Sequence, residues 1–351
     1  MVRASTLIPP EAQSLLLAAL LVGLVASVLA GLALGSVGVP IGDVWATIWH
    51  HVTGADVGTI DRATDTIVWT FRTPRALLAA VVGAGLAVAG AILQGVVRNP
   101  LADPYILGVS EGGAFGAVLA IAVGTAAVGR IALSLSAFAG AMLAMGVVLI
   151  LGRRGGRIVP TRLVLAGVAL GYLFSAGTAF LQLRIANGQS LAGVIFWLLG
   201  TVAAASWDDL GIPTVVVLAS SVWLVLKARA LNALLLGEDA ATSLGEDVGR
   251  LRLQLLAVAS LLTAVVVAVA GVIGFVGLMI PHVARMLVGP DHRRMLPVTI
   301  LLGAVFLELV DIAARTVASP LELPLSVITA AIGAPFFLWL LWRSDRAVGV
   351  A

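Results

Sequence analysis

The chain has 351 residues, of which 60% are hydrophobic and only 11% are charged. Soluble domains carry about 25% charged residues, so this composition excludes a soluble globular protein. No cysteine is present, which excludes a disulfide framework, a thiolate metal site and a cysteine nucleophile. Uncharged stretches of about 20 residues recur along the chain, and a helix of that length crosses a bilayer.

Ten membrane-spanning helices are predicted from these uncharged stretches. The window 253–281 alone would form a helix of about 44 Å, which is too long for one crossing. Glycine weakens a helix, so we expect a break at "AGVIGFVG" (270–277). The stretch 190–200 is too short to cross and is expected to form a re-entrant half-helix. The expected spans are about 14–36, 76–97, 107–125, 131–152, 163–183, 209–227, 253–270, 273–288, 296–316 and 325–342.

The distribution of basic residues predicts how the chain is oriented. An even number of spans puts both termini on one side of the membrane. If the N-terminus is cytoplasmic, 15 of the 21 lysines and arginines lie inside, and the positive-inside rule favours this arrangement. The six outside residues are Arg62, Arg72, Arg75, Arg130, Arg184 and Arg315. The sequence thus predicts an all-α polytopic protein of a bacterial cytoplasmic (inner) membrane, with one transmembrane domain over residues 1–351 and both termini cytoplasmic.

A polar segment interrupts the apolar pattern at "LLLGEDAATSLGEDVGRLRLQ" (234–254). It belongs to a predicted cytoplasmic loop, about 229–252, and is expected to form short helices broken at Gly237, Gly245 and Gly249. A helix pair with an apolar side favours docking into a groove of a partner. The alternative is a solvated loop whose leucines rest on the bilayer. The apolar side consists of Leu234, Leu235, Leu236, Leu244, Val248 and Leu251.

The chain lacks a recognisable motif for using ATP. Its one lysine, Lys227, has no Gly-x-x-x-x-Gly-Lys around it, so no P-loop is expected. Within the spans, Glu308, Asp311 and Arg315 share one helix face near the outer end. An ion pair between Asp311 and Arg315 beside water is the simpler interpretation, and a proton relay of a secondary transporter is the alternative. A passive channel ranks last, because neither a carboxylate ring nor a carbonyl-lined filter is evident.

Two long motifs carry a family resemblance: "FRTPRALLAAVVGAGLAVAGAILQGVVRNPLADPYILGVS" (71–110) and "GVIGFVGLMIPHVARMLVGPDHRRMLP" (271–297). Shorter ones occur at 162–171, 196–207 and 322–341. Together, and in this order, they resemble the permease family of type II ABC importers, which carry vitamin B12, iron–siderophores and haem. The resemblance implies that family's permease fold and transport by alternating access. The stretch "FWLLGTVAAASW" is similar to the iron–siderophore and haem branches, with cobalamin as the alternative cargo.

The resemblance also implies partners. It predicts a dimer with a second copy or a paralogue, two ATPase subunits, and an extracytoplasmic substrate-binding protein, all assembled at a lipid membrane without nucleic acid. The chain itself is then not an enzyme and holds no cofactor, because ATP and magnesium bind to the partner ATPase. The loop that docks on the ATPase is expected to use Leu236, Gly237, Glu238, Leu244, Gly245, Glu246, Val248 and Arg250.

Two further sets of residues match functional positions of the family. Arg72, Arg75 and Arg315 resemble sockets that receive carboxylates of the binding protein, and arginine suits bidentate carboxylate capture. Snorkelling of these side chains at helix ends is the alternative. A cytoplasmic gate is expected at Asn99, Leu101 and Thr161.

Each of several polar residues near these motifs has its own interpretation. Asn99 alternatively caps a helix break at Pro100. His282 and Arg285 look like a structural contact to the region of the ATPase-docking loop. Glu111 stands where the family often has a small or amide residue, and its effect on gating is left open.

The tandem histidines His50 and His51 invite an interpretation as haem ligands. A surface helix that places Trp45 and Trp49 at the membrane interface fits "DVWATIWHHVTG" better, because tryptophan concentrates at that interface.

Overall fold

The structure, a computed structural model, describes residues 7–56, 60–124, 130–155, 157–185 and 188–348. It is helical throughout, apart from turns and one short hairpin in which β1 (Arg153–Arg154) pairs antiparallel with β2 (Arg157–Ile158). The helices are α1 (Gln13–Ala33), α2 (Ile41–Thr53), α3 (Arg62–Asp65), α4 (Thr73–Val97), α5 (Val109–Ala122), α6 (Arg130–Leu151), α7 (Pro160–Arg184), α8 (Gly188–Leu198), α9 (Gly211–Leu226), α10 (Ala228–Leu236), α11 (Glu238–Ser243), α12 (Val248–Ala270), α13 (Val276–Val288), α14 (His292–Thr316) and α15 (Leu325–Val348).

In the described part of the chain, ten helices occupy the positions of the ten predicted spans. Among the described residues, eight continuous segments are long and apolar enough to span a membrane, and one of them joins α3 to α4 through a π-helical turn. The shorter apolar helices α5 and α13 complete the ten. The predicted half-helix is α8. We call the side where α1 begins the N-terminal face and the other side the opposite face. The ends of the chain, 1–6 and 349–351, lie outside the described residues.

Helix α4 forms the centre of the bundle and packs against α14, α12 and α13. Its small residues allow the backbones to approach closely. A methyl group at Gly83 would collide with the carbonyl of Gly303 on α14, and one at Gly90 would collide with the backbone of Gly277 on α13. Between membrane helices, where lipid removes the hydrophobic driving force, such close packing is a main source of association.

The break predicted at 270–277 lies between α12 and α13, and side chains satisfy its exposed backbone groups. The Tyr105 hydroxyl donates to the carbonyl of Ile273 at 2.8 Å and accepts from the Ile273 N–H at 2.9 Å. The Ser326 hydroxyl donates to the carbonyl of Val272 at 2.8 Å. Non-helical backbone at membrane depth needs such partners, because water is absent there.

Candidate ATPase-docking loop and transport path

Two short helices, α10 and α11, form the polar loop on the N-terminal face. The backbone turns between them at Gly237 (φ 122°) and turns again at Gly245 (φ 87°), so two of the three predicted breaks are correct. The third is wrong, because Gly249 lies in the first turn of α12. That turn is stabilised by Asp247, whose carboxylate accepts from the Arg250 N–H at 3.0 Å.

The leucines of this loop divide into two groups, where the sequence predicted one apolar side. Leu234 and Leu251 are buried in the core of the chain itself, which corrects that prediction. Leu235 is exposed, and Leu236 and Leu244 expose 70% and 66% of their surface. We call these three exposed residues the leucine patch; exposed apolar side chains on an otherwise polar loop are typical of an interaction surface.

Ion pairs and a polar network hold the loop in place. Glu238 on α11 pairs with the buried Arg252 on α12 at 2.7 Å. Arg250 stays exposed, 4.0 Å from Asp247. Glu246 and Val248 are half-buried beside them. These contacts give the exposed leucines a fixed support.

Asn232 connects α10 to the start of α14. Its amide donates to Asp291 Oδ1 at 2.6 Å, and its oxygen accepts from the His292 N–H at 2.9 Å. Partial burial raises the pKa of Asp291, but the hydrogen bonds from Asn232 and from the Arg293 N–H outweigh it, so the pKa lies below its usual value. The sequence analysis missed Asn232, whose only signal was an amide within an apolar helix.

Arg285 and His282 are half-buried on α13 and contact neighbouring helices of the bundle. Arg285 on α13 donates to Gln94 Oε1 at 2.9 Å, and Gln94 donates to the carbonyl of Leu278 at 3.1 Å. His282 packs edge-on against Phe336 of α15, with ring centres 6.0 Å apart. These contacts join α13 to α4 and α15, and the predicted contact with the docking-loop region stays a prediction. Gln94 is a second residue that was not predicted from the sequence.

The predicted gate residues lie at the N-terminal face and are exposed there. Asn99 follows the end of α4, and its side chain accepts from the Leu101 N–H at 2.9 Å. This turn around Pro100 agrees with the capping interpretation. Thr161 is the second residue of α7. All three residues therefore lie on one face of the bundle, and their gating role stays a prediction.

Asp103 follows the gate turn and caps the short 3₁₀ helix Pro104–Leu107 by accepting from the Tyr105 N–H at 2.8 Å. Burial and the nearby charge of Glu111 raise the pKa of Asp103 to about 6, against the effect of that hydrogen bond. An acid is therefore half-neutral at the N-terminal side of α5 near pH 6.

On the opposite face, the structure buries the three arginines that the sequence predicted as open sockets. Arg72, Arg75 and Arg315 expose 7%, 8% and 5% of their surface. Arg72 donates to backbone carbonyls at and just after the C-terminal end of α1, including that of Leu32 at 2.7 Å. Because these side chains are buried, they neither form an accessible socket nor extend into water at the helix ends. A part in docking stays a prediction, and it requires their present contacts to open.

Carboxylates of the same chain already occupy two of these arginines. Arg75 Nε lies 3.0 Å and 3.1 Å from the oxygens of Asp311, and its Nη1 lies 3.0 Å from Glu322. Arg315 Nε is 3.4 Å from Asp311. The predicted pair of Asp311 and Arg315 thus exists, but Asp311 is fully buried rather than beside water, and its closer partner is Arg75. The buried Glu308 carboxylate faces Gly31 of α1 and has no hydrogen-bond partner among the described residues.

The tandem histidines lie on the surface helix α2, as expected. Trp45 and Trp49 of that helix are exposed and stack with ring centres 6.2 Å apart. His51 lies 2.7 Å from Asp65 and stacks on Trp69 at 4.3 Å. These contacts fit a helix that rests at the membrane interface.

Helix α7 lies at the edge of the bundle and is one of its least buried spans. It packs against α5 and α6 and leaves large apolar side chains such as Tyr172 and Leu183 exposed. A pocket of about 250 Å³ opens between α5, α7 and α8. Serine, threonine, glutamine and glutamate line it, and polar groups inside membrane spans face a cavity or a path rather than lipid.

Membrane-length helices, exposed leucines on one face and a partly polar cavity beside a peripheral helix are together typical of a membrane transport subunit. A sequence model of the FecCD transport family matches residues 20–343. The chain therefore belongs to the FecCD transport family. It is the permease subunit of an ABC importer for metal chelates, and a separate ATPase hydrolyses the ATP. This membership replaces the alternatives of a proton-coupled carrier and a channel.

Individual relatives support the same assignment. The cobalamin import system permease protein BtuC of Halobacterium salinarum is 47% identical over 80% of this chain and 74% of its own length. The molybdate import system permease protein MolB of Haemophilus influenzae is 37% identical over 96% and 98%. A solved inward-facing structure of a metal-chelate type ABC transporter superposes with a TM-score of 0.81 at 36% identity, over 93% of this chain and 98% of that one. Because these relatives are named for different cargoes, the comparisons do not identify the cargo of this chain.

Proposed function

We propose that two permease subunits, either two copies of this chain or this chain and a paralogue, enclose a transport path for a bulky metal chelate. The chelate is a ferric siderophore, haem or a corrinoid, delivered at the opposite face by a substrate-binding protein. Two ATPase subunits bind at the N-terminal face, which is cytoplasmic because 15 of the 21 basic residues belong to that side. Residues 1–351 act as one permease domain, with no chemistry on the cargo.

The exposed patch of Leu235, Leu236 and Leu244 is the observation that supports this arrangement. Burying one leucine side chain stabilises an interface by about 1.5–3 kcal/mol. Three leucines on short helices held by the Glu238–Arg252 pair are therefore suited to a groove of a partner. A loop that only rested on lipid would not need the ion pair and the caps that fix its shape.

Movement of the loop has a continuous physical route to the transport path. Asn232 fixes α10 to the start of α14, and α14 packs along α4 with the backbones touching at Gly83 and Gly303. Helix α4 ends beside the predicted gate at Asn99 and Leu101. When ATP closes the two ATPase subunits, the displaced loop thus moves the helices that carry the gate, and the path changes the face to which it opens.

The experiment is to tag this chain, purify it gently from its native membrane and assay ATP hydrolysis. We expect an ATPase subunit to co-purify with the wild type. Leu244→Glu places a charge in the interface and removes a buried leucine, which lowers the amount of bound ATPase by about 10- to 100-fold.

Leu7→Glu is the matched control, because Leu7 lies on the same face with a similar exposure of 68%. It should retain the ATPase. Full retention by Leu244→Glu, or a wild-type preparation without ATP hydrolysis, would contradict the proposal.

A further inference from the structure

The pocket between α5, α7 and α8 is lined by one charged residue, Glu111, by four uncharged polar residues and by four apolar ones. Ser110 donates to the Glu111 carboxylate at 2.8 Å, and Ser175, Thr178 and Gln182 line the α7 side. Of the lining residues within the described chain, none is basic. The pocket therefore offers negative charge and hydrogen-bond acceptors.

Glu111 lies near the middle of the membrane. It packs against Gly171, where an added methyl group would lie 3.7 Å from the Glu111 Cγ. Gly171 follows the start of α7 by 11 residues, or about 16 Å along the helix axis, roughly half of a hydrocarbon core about 30 Å thick. A carboxylate at this depth is costly unless it faces water or a ligand. We therefore infer that the pocket opens to the transport path and not to lipid.

Thr178 provides a second and independent observation. Its side chain is 7% exposed, and its hydroxyl has no hydrogen-bond partner among the described residues. By contrast, the buried hydroxyls of Thr263 on α12 and Thr299 on α14 each donate to the carbonyl four residues earlier, at 2.8 Å. A buried hydroxyl without a partner carries a free-energy cost that a bound ligand removes.

We propose that this pocket binds an amide N–H group of the transported chelate, which donates hydrogen bonds to Glu111 and Thr178. The volume of about 250 Å³ is below the range of about 300–1,000 Å³ for a whole drug-sized ligand, so the pocket holds one side group of a larger molecule. The charge of Glu111 repels carboxylate and oxyanion cargo. The proposal deepens the proposed function: it selects neutral, amide-bearing chelates such as corrinoids and hydroxamates.

The test uses the importer purified from its native membrane with its own ATPase and binding protein, and reconstituted in vesicles containing ATP. Uptake is measured for cyanocobalamin and ferrichrome, which are neutral and rich in amide N–H groups, and for hemin, ferric citrate and molybdate, which are anionic. We expect uptake of at least one neutral probe. Glu111→Gln should lower that uptake about tenfold, as for the loss of one charge-assisted hydrogen bond.

Two further variants separate binding from structure. Thr178→Val, which keeps the side-chain shape, should lower uptake about threefold through the lost neutral hydrogen bond. Asp43→Asn, the same chemical change at an exposed carboxylate on α2, should leave uptake unchanged. ATP hydrolysis should be equal in all four proteins, so a general loss of folding is detected separately.

The outcomes distinguish this proposal from the function on which it rests. A preparation without ATPase contradicts the importer assignment before any uptake is measured. An active importer overturns the pocket proposal if it moves only anionic probes, moves none of the five, or shows the same uptake with Glu111→Gln.

Discussion

The two faces of the molecule carry its two predicted docking regions, and they differ in an instructive way. The loop on the N-terminal face presents exposed leucines on a polar support, whereas the three arginines on the opposite face are buried. Two of them, Arg75 and Arg315, are paired with carboxylates of the chain itself. A polar loop between apolar spans can be recognised from sequence. Whether a charged side chain at a helix end is buried or exposed cannot be predicted in this way, because it depends on which distant helix packs beside it.

The largest expected effect comes from breaking the buried cluster. Arg75→Ala leaves the fully buried Asp311 without its main partner, and removing one member of a buried ion pair costs about 3–5 kcal/mol of stability. Arg250→Ala removes an exposed arginine of the loop, and a surface substitution stays within about 0.5 kcal/mol. Thermal unfolding in detergent measures both. If the two variants were equally stable, the buried arginine cluster would contribute no more to stability than the exposed loop, which would contradict the comparison of the two faces.

A smaller effect is expected where the loop joins the bundle. Asn232→Ala removes hydrogen bonds to Asp291 and His292 and leaves a partly buried carboxylate underpaired, which costs about 1–3 kcal/mol. We also expect the ATPase to remain bound while ATP hydrolysis no longer drives uptake, because the leucine patch is intact. Normal uptake by a stable Asn232→Ala importer would remove this residue from the route of coupling.

The smallest expected effects concern the pH dependence of stability, which should differ in sign between Asp103 and Asp291. The native pKa of Asp103 is raised to about 6, so its charged form destabilises the fold above pH 6 and the penalty fades as pH falls toward 4. Asp103→Asn should therefore stabilise the protein at pH 7.5, with a gain that shrinks in acid.

The charged form of Asp291 instead stabilises the fold, because the pKa of Asp291 is lowered in the folded protein. Its contribution is present at neutral pH and is lost as pH falls below the usual range of an aspartate. Asp291→Asn should thus destabilise at pH 7.5 and approach the wild type in acid. Melting curves from pH 2 to 8 cover both transitions, and curves parallel to the wild type over that whole range would contradict these assignments.

Much of the fold could be predicted from periodicity and span length. The ten crossings, the half-helix α8 and the break before α13 follow from the length of a helix that fits a bilayer. The loop was recognisable because charge is rare elsewhere in the chain. Features that depend only on residues close together in the sequence could therefore be predicted from the sequence.

The remainder depends on pairings across hundreds of residues. Arg75 and Asp311 are 236 positions apart, and Tyr105 reaches a break 168 positions away. The division of the leucines into buried and exposed groups depends on how α10 and α12 pack, which helical spacing alone does not determine. The pocket at Glu111 likewise needs two helices and one half-helix to come together, so the sequence showed only an unusual acid.

The most direct test of the central claim uses the absence of cysteine from the natural chain. Leu236→Cys and Leu7→Cys each introduce a single thiol on the N-terminal face, the first within the leucine patch and the second outside it. A short thiol-to-amine cross-linker is added to inside-out membrane vesicles, and the product is identified by mass spectrometry. We predict that Leu236→Cys joins this chain to an ATP-binding subunit and that Leu7→Cys does not. Labelling of Leu236→Cys by a membrane-impermeant maleimide on intact cells, without any cross-link to an ATPase, would contradict the account.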